Sequence, residues 1–434
     1  MPTRFPALLL AFTFAGIVLA ASPAPVRLFS FSPGPAPQGV IAVSPSDSFS
    51  KERGYGFEPG AELSISGSAL TSSKPFYFTA TLPEEGNYRV TLTVGDPAAD
   101  SVMTLRAELR RLLVEGLRIP AGPALECSFT VNTRTPRIPA SAGIAAGEVR
   151  LKAPRETTGE AWAWDSALTL EFNGTHPAVR SLRIEKVDKV PAVYLIGDST
   201  VCDQMGEPFA SWGQMLPRFL LPSIAVANHA ESGESYRESL ARRRLDKIAS
   251  LLQPGDFLLM QFGHNDQKEG RSDPAAGLVR YKADLKAHIA AARAHGATPI
   301  VISSMERLSF DATGHIKRSL AAYAQAAREA AAEEQVAFID LNALSVPFYE
   351  ALEAREKGSA RQAFAKGDAT HQNNYGAYQL AKSIVQSIKS QQLPLARFIS
   401  ADFQPYDPSR PDPVGSFSLP PSPTFTNQRP LGDP

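Results

Sequence analysis

Cysteine is nearly absent: Cys127 and Cys202 are the only two in 434 residues. At most one disulfide can form. The two positions fall in parts of the chain that read as separate domains, so two small buried thiols are expected rather than a bridge. A surplus of either charge is absent as well. The 44 basic and 44 acidic side chains give a formal net charge of zero, which leaves no electrostatic footprint for nucleic acid or an acidic membrane. Long apolar runs are missing after residue 21, and no internal repeat is present. Histidine is scarce, at seven, so few side chains are on offer as a general base near neutral pH.

The one apolar run, Pro6 to Ala21, follows Arg4 and ends in the small-residue stretch Val18-Leu19-Ala20. It reads as a signal peptide over residues 1–21, being short for a span that wants about 20 apolar residues. A secreted or periplasmic location follows, with no membrane attachment once the signal is removed. Hydrophobic residues at 43% and charged residues at 20% are ordinary for a globular protein, and the length predicts two domains. The 36 prolines gather near the two ends of the chain, where they mark extended segments. Asn173-Gly174-Thr175 fits a glycosylation sequon, which has meaning only in a eukaryotic secretory pathway.

Residues 22–188 read as an all-β sandwich. Short alternating runs such as Phe76 to Thr81 and Tyr88 to Val94 are separated by turn chemistry at Glu84-Glu85-Gly86-Asn87 and Gly95-Asp96-Pro97. Further candidate strands are 126–132, 148–151, 168–172 and 181–187. From residue 189 to 394 the period changes. Five apolar runs, 193–197, 224–228, 256–262, 298–303 and 336–340, alternate with helical segments. One of these carries Leu320, Tyr323, Ala324 and Ala327 on one face; the last carries Leu380, Ala381, Ile384, Val385 and Ile388. Such alternation predicts a five-stranded parallel sheet in a three-layer α/β/α domain, with ligands outside the carboxyl ends of the strands. Residues 395–434 turn to Pro, Ser and Asp and cannot build a core of their own. Phe398, Phe403, Tyr406 and Phe417 favour an extended strap over a free tail.

The chemistry gathers at the predicted strand ends. Gly197-Asp198-Ser199-Thr200 directly follows the run Val193 to Ile196, which lifts the Ser199 hydroxyl to the sheet edge as a candidate nucleophile. A serine at its own pKa is weak and needs a base. His371, three residues after Asp368, supplies that base, with the carboxylate placed to fix its tautomer and Asn373-Asn374 placed to cap the following helix. A purely structural Asp–His cap is the plain alternative for that pair. The Ser199 amide, expected to open a helix, Gly233 after the second strand and the Asn265 side chain after the third are candidate oxyanion donors. Trp212 has two readings, a sugar-stacking ring or ordinary packing, and packing is the commoner. Arg307, after the fourth strand, is a solvated arginine or a partner for a uronate.

In this order the blocks resemble the SGNH (GDSL-type) hydrolases. Gly197-Asp198-Ser199-Thr200-Val201, Ser211-Trp212-Gly213-Gln214, Gln261-Phe262-Gly263-His264-Asn265-Asp266 and Asp368-Ala369-Thr370-His371 resemble rhamnogalacturonan acetylesterases in particular. The resemblance covers roughly residues 190–394. Lys51 to Phe57 and Ala107 to Leu112 carry a weaker likeness to the accessory domain found ahead of some bacterial members. It implies a flavodoxin-like SGNH-hydrolase domain preceded by a galactose-binding-like β sandwich. It also implies Ser199 as nucleophile, His371 as base, Asp368 as its orienter, and Ser199, Gly233 and Asn265 as the oxyanion hole. The implied activity is removal of O-acetyl groups from pectic polysaccharide, with an acetylated polysaccharide as partner and no cofactor or metal.

Other readings stay open. An SGNH esterase or lipase could act on another acyl ester or another acetylated glycan. A metal-dependent phosphoesterase would draw ligands from Asp198, Asp203, His264, Asn265, Asp266, Asp368 and His371, but no tight His-x-His or Asp-x-His pair stands beside a strand end. A glycan-binding protein without activity is the non-enzymatic alternative. The sugar, the hydroxyl position and the oligomeric state are not written in the motifs.

Overall fold

A computed structural model describes residues 26–423. Residues 1–25 and 424–434, and with them the expected signal peptide, lie outside the described residues.

In the first half, alternation makes sheets. Along Gly86–Val94 the residues Tyr88, Val90, Leu92 and Val94 point inward, while Arg89, Thr91 and Thr93 point outward. This strand pairs antiparallel with Leu125–Thr133 on one side and Ala178–Lys186 on the other, within a seven-stranded sheet. A second, five-stranded antiparallel sheet runs Tyr55–Phe57, Phe76–Thr81, Ala167–Thr175, Ser101–Ala107 and Arg111–Ile119. The two enclose one apolar core, with Phe29, Leu92 and Leu182 from the first sheet against Phe78, Leu105 and Phe172 from the second. Each fully buried side chain of this size stabilises by roughly 1.5–3 kcal/mol. The hairpin 101–119 is absent from the sequence-based strands, whereas the expected strand 148–151 shrinks to Gly147–Glu148.

The second half follows the predicted strands closely. Ala192–Gly197, Ala225–Asn228, Phe257–Gln261, Thr298–Ile302 and Ala337–Ile339 form one parallel sheet in the order second, first, third, fourth, fifth. All residues of the first three strands are buried, as a sheet covered on both faces requires. One face packs against the helices Leu341–Arg355 and Asn374–Ser390, the other against Pro274–Ala294 and Ala321–Glu333. In the final helix Leu380, Ala381, Ile384, Val385 and Ile388 all face inward, and the Asn373 side chain caps its start by accepting from the Gly376 amide. The chain leaves the first strand for one edge and returns to the other side with the third. The topological switch point therefore lies between Gly197 and its register partner Gln261.

Residues 395–423 form a strap. The Phe417 ring packs on Tyr375 and Tyr378, Pro420 O accepts from Arg106 Nη2, and Ser422 Oγ donates to Glu171 Oε2. Cys127 and Cys202 are both free thiols. Asn173 is buried, with its amide donating to Glu171 and to Pro421 O, so the sequon is closed to modification in the folded chain. No helix among the described residues is long and apolar enough to cross a membrane.

Candidate active site

Ser199 sits two residues past the first strand, at the switch point. Its Oγ lies 2.8 Å from His371 Nε2, and His371 Nδ1 lies 2.7 Å from Asp368 Oδ2. Residues 172 positions apart in sequence thus form one hydrogen-bonded relay. The relay is rigid at its carboxylate end, because Asp368 Oδ1 accepts from the amides of Thr370 at 2.6 Å and His371 at 2.9 Å. Burial works against the Asp368 charge, but these amides and the imidazole outweigh it and hold the carboxyl below the usual aspartate range. An Asp–His helix cap would leave Nε2 without a reason to face a serine. Here it faces one.

The turn around Ser199 departs from expectation. No helix opens there: Val201 N and Cys202 N both donate to Asp198 O in a tight turn, and the next helix begins only at Trp212. Gly197 is forced by crowding, since a Cβ there would stand 2.6 Å from Gln261 O and 2.5 Å from Val201 Cγ2. Beneath the turn runs a buried network. Trp212 Nε1 donates to Gln261 Oε1 at 2.7 Å, Gln261 Nε2 to Thr200 Oγ1 at 2.7 Å, and Thr200 Oγ1 to Asp198 Oδ1 at 2.8 Å. Asp198 Oδ2 then meets His264 Nδ1 at 3.2 Å. Trp212 is therefore a fully buried packing residue and stacks on no sugar. Arg307 is likewise engaged, donating to Gln267 Oε1 and His264 O from a half-buried position.

The three oxyanion candidates line the same edge. Among the described residues the backbone amides of Ser199 and Gly233 donate to no protein acceptor. Gly233 has φ +76°, in the left-handed region that suits glycine. The Glu231 amide donates to Gly197 O at 3.0 Å, which ties the Gly233 loop to the nucleophile's strand. Asn265 presents its amide with one N–H already committed to Glu234 O at 2.9 Å, while its Oδ1 accepts from Lys268 Nζ at 3.0 Å. The second N–H of Nδ2 is left for a ligand.

The carboxylates that a metal site would recruit have other tasks. Asp203 Oδ2 accepts from Arg111 Nε and its Oδ1 from Asn228 Nδ2. Asp266 accepts from the Tyr236 amide, and burial pushes its carboxyl well above the usual range. Glu156, Glu160 and Glu231 converge closely enough to hold an ion, yet cations of the chain itself already stand among them. Arg155 Nε lies 2.6 Å from Glu160 and 3.0 Å from Glu231, and Arg244 Nη2 lies 2.6 Å from Glu156. Burial first, then the charges of Glu160 and Glu156, pushes Glu231 well up.

Several supporting residues carry no sequence signal. Gln204 Nε2 donates to Ser199 O at 2.6 Å. From the β-rich half, Arg110 Nη1 donates to Gln204 O and Phe209 O, while Lys152 Nζ donates to Ser232 O. Of these, only Arg110 falls within the Ala107 to Leu112 block.

A parallel α/β sheet with a Ser–His–Asp relay at its switch point defines a serine hydrolase. Residues 195–378 match the GDSL-like Lipase/Acylhydrolase family. The chain is 34% identical over 215 residues to the rhamnogalacturonan acetylesterase RhgT of Bacillus subtilis (strain 168), covering 47% of this chain and 91% of that one. It is 28% identical over 410 residues to the uncharacterized esterase YxiM of the same organism, covering 88% and 96%. The crystal structure of YxiM superposes with a TM-score of 0.47 at 25% identity, covering 85% of this chain and 99% of that one. The chain belongs to the GDSL-like, or SGNH, hydrolase family, with likeness to rhamnogalacturonan acetylesterases, and is an esterase.

Proposed function

We propose that this esterase removes O-acetyl groups from a pectic polysaccharide of the rhamnogalacturonan type, through an acyl-enzyme formed on Ser199. The observation that carries the mechanism is the relay at 2.8 Å and 2.7 Å from Ser199 through His371 to Asp368. Ser199 Oγ attacks the acetyl carbonyl as its proton passes to His371 Nε2, and the imidazolium is stabilised by Asp368. Charge collects on the former carbonyl oxygen, where the amides of Ser199 and Gly233 and the Asn265 side chain serve as donors. The C–O bond to the sugar breaks, and His371 returns the proton to the leaving hydroxyl. Water, deprotonated by His371, then attacks the acetyl–serine ester and releases acetate. No step calls for a cofactor.

The acetyl and pectic parts of the reading rest on the likeness to relatives such as the rhamnogalacturonan acetylesterase RhgT and on the motif blocks. The β-rich half is read as a galactose-binding-like accessory sandwich, supported by its two sheets around one core. Export by residues 1–21 completes the proposal. Acetate release from a panel of acetylated pectins, xylans and mannans tests it, alongside Ser199→Ala and His371→Ala. We expect release from pectin to lead the panel and to vanish in both variants. Release undiminished in both would remove the mechanism, and preference for xylan would change the substrate.

A further inference from the structure

The Gly233 loop is held by a residue from outside the part of the chain that matches the hydrolase family. Lys152 belongs to the β-rich half, well before residues 195–378. Its Nζ donates to Ser232 O at 2.6 Å. Ser232 O and the Gly233 N–H belong to one peptide unit, and in a planar trans peptide they point in opposite directions. An ammonium fixed at the carbonyl end therefore fixes the direction of the amide at the other end.

That peptide has an alternative orientation available to it. Glu234 N donates to Glu231 O at 3.4 Å, closing a four-residue turn with Ser232 and Gly233 at its centre. Glycine in third position with φ +76° is the type II arrangement. Rotation of the central peptide converts such a turn to type I, which exchanges carbonyl for amide at the site. Lys152 opposes that rotation with a charge-assisted hydrogen bond. It is held in place itself: its backbone amide donates to Glu156 Oε2 at 2.8 Å, and its Nζ lies 3.5 Å from Glu234 Oε1. The residues beside the turn are gripped as well, Glu231 by Arg155 and Glu234 by Arg244.

We propose that Lys152 is a positioning residue for the oxyanion site: its ammonium locks and polarises the Ser232–Gly233 peptide, so that the Gly233 amide faces the developing oxyanion. The inference rests on the reading of Gly233 as an oxyanion donor. Polarisation at the carbonyl strengthens the N–H as a donor, and the gain is largest where negative charge develops in the transition state. Lys152 should therefore act on kcat and leave KM alone.

The test is steady-state hydrolysis of a small aryl acetate by Lys152→Met, Lys152→Arg and Ser199→Ala, with thermal unfolding measured beside it. One oxyanion donor is worth about 100- to 1000-fold in rate, and partial loss of its orientation should cost about 10- to 100-fold in kcat. KM should stay within about two-fold, and Lys152→Arg should recover most of the rate. If Lys152→Met does not fold, Lys152→Gln takes its place, keeping a donor without the charge. A full kcat in the folded uncharged variant overturns the proposal, as does a loss that follows unfolding temperature and is not recovered by arginine. Ser199→Ala separates the two readings: activity there removes the serine mechanism, whereas a dead Ser199→Ala beside a fully active Lys152→Met removes only the role of Lys152.

Discussion

Arg110 Nη1 donates to Phe209 O at 2.8 Å, and the Phe209 ring stands edge-on to His371 with centroids 5.9 Å apart. A turn in a β hairpin therefore supports the loop that flanks the proposed base. The same guanidinium donates to Gln204 O at 3.2 Å and Asn374 Oδ1 at 3.2 Å and pairs with Glu207 at 2.6 Å. Gln204 in turn donates to Ser199 O. Arg110→Met leaves these acceptors unpaired, and hydrogen bonds to a charged group contribute about 1.5–3 kcal/mol each. We expect destabilisation of about 3 kcal/mol in chemical unfolding and a lower kcat/KM on a small aryl acetate. Unchanged stability and rate would show that the loop holds itself.

Asp368→Asn separates orientation from charge at His371. The amides of Thr370 and His371 can still find an oxygen at residue 368, but the Nδ1 partner becomes neutral and the tautomer is no longer enforced. Loss of this kind costs on the order of 10⁴-fold in kcat in other serine hydrolases. A fall below ten-fold would place the working carboxylate elsewhere.

The parallel sheet and the relay were legible in the sequence because their signals are local. Val193 to Ile196 is an unbroken apolar run, as a doubly covered strand must be, and Ser199 and His371 stand next to turns. The hairpin 101–119 was not legible. Its turn holds Glu108 at φ 54° and Arg110 at φ 63° with no glycine or asparagine to announce it. Arg106, Glu108, Arg110 and Arg111 are all buried, against every compositional rule for an inward position. Their partners, Glu171, Asp203 and Glu207 among them, lie 65 to 97 positions away or are reached only through the fold. Lys152 was invisible for the same reason: its meaning is one carbonyl 80 residues further on.

Asp198 gives the site a pH signature. It is fully buried, which alone would raise its pKa; His264 and the amide and hydroxyl of Thr200 outweigh this and hold it below the ordinary value. A carboxyl depressed in the folded state contributes stability above the unfolded pKa of about 3.9. That contribution is lost as pH falls through the lower, folded value. The parent protein should therefore lose stability steeply below about pH 4. In Asp198→Asn, starting from a lower stability at neutral pH, the acid slope should be shallower. Parallel slopes from pH 6 to 3 by chemical unfolding would mean that folding does not shift the pKa of Asp198.

Cutting the chain before residue 188 should destroy the esterase rather than free it. Leu112 from the hairpin lies within the apolar cluster of the α/β half. Lys247 is fully buried, with Glu85 at 2.6 Å and Arg137 O at 2.5 Å as its partners, both in the β-rich half. Arg244 Nη2 would lose Glu156, and Gln214 Nε2 would lose Leu109 O. Removing one partner of a buried ion pair costs about 3–5 kcal/mol, and two such losses approach the roughly 5–15 kcal/mol that holds a typical domain together. A fragment from residue 188 onward is expected to be insoluble or inactive even toward a small aryl acetate, where polysaccharide targeting is irrelevant. Co-expression with residues 26–187 as a separate chain should recover folding if these contacts are what is missing. A soluble fragment turning over the aryl acetate at the parent's rate would make the β-rich half a detachable targeting module, and Arg110 and Lys152 spectators of the chemistry.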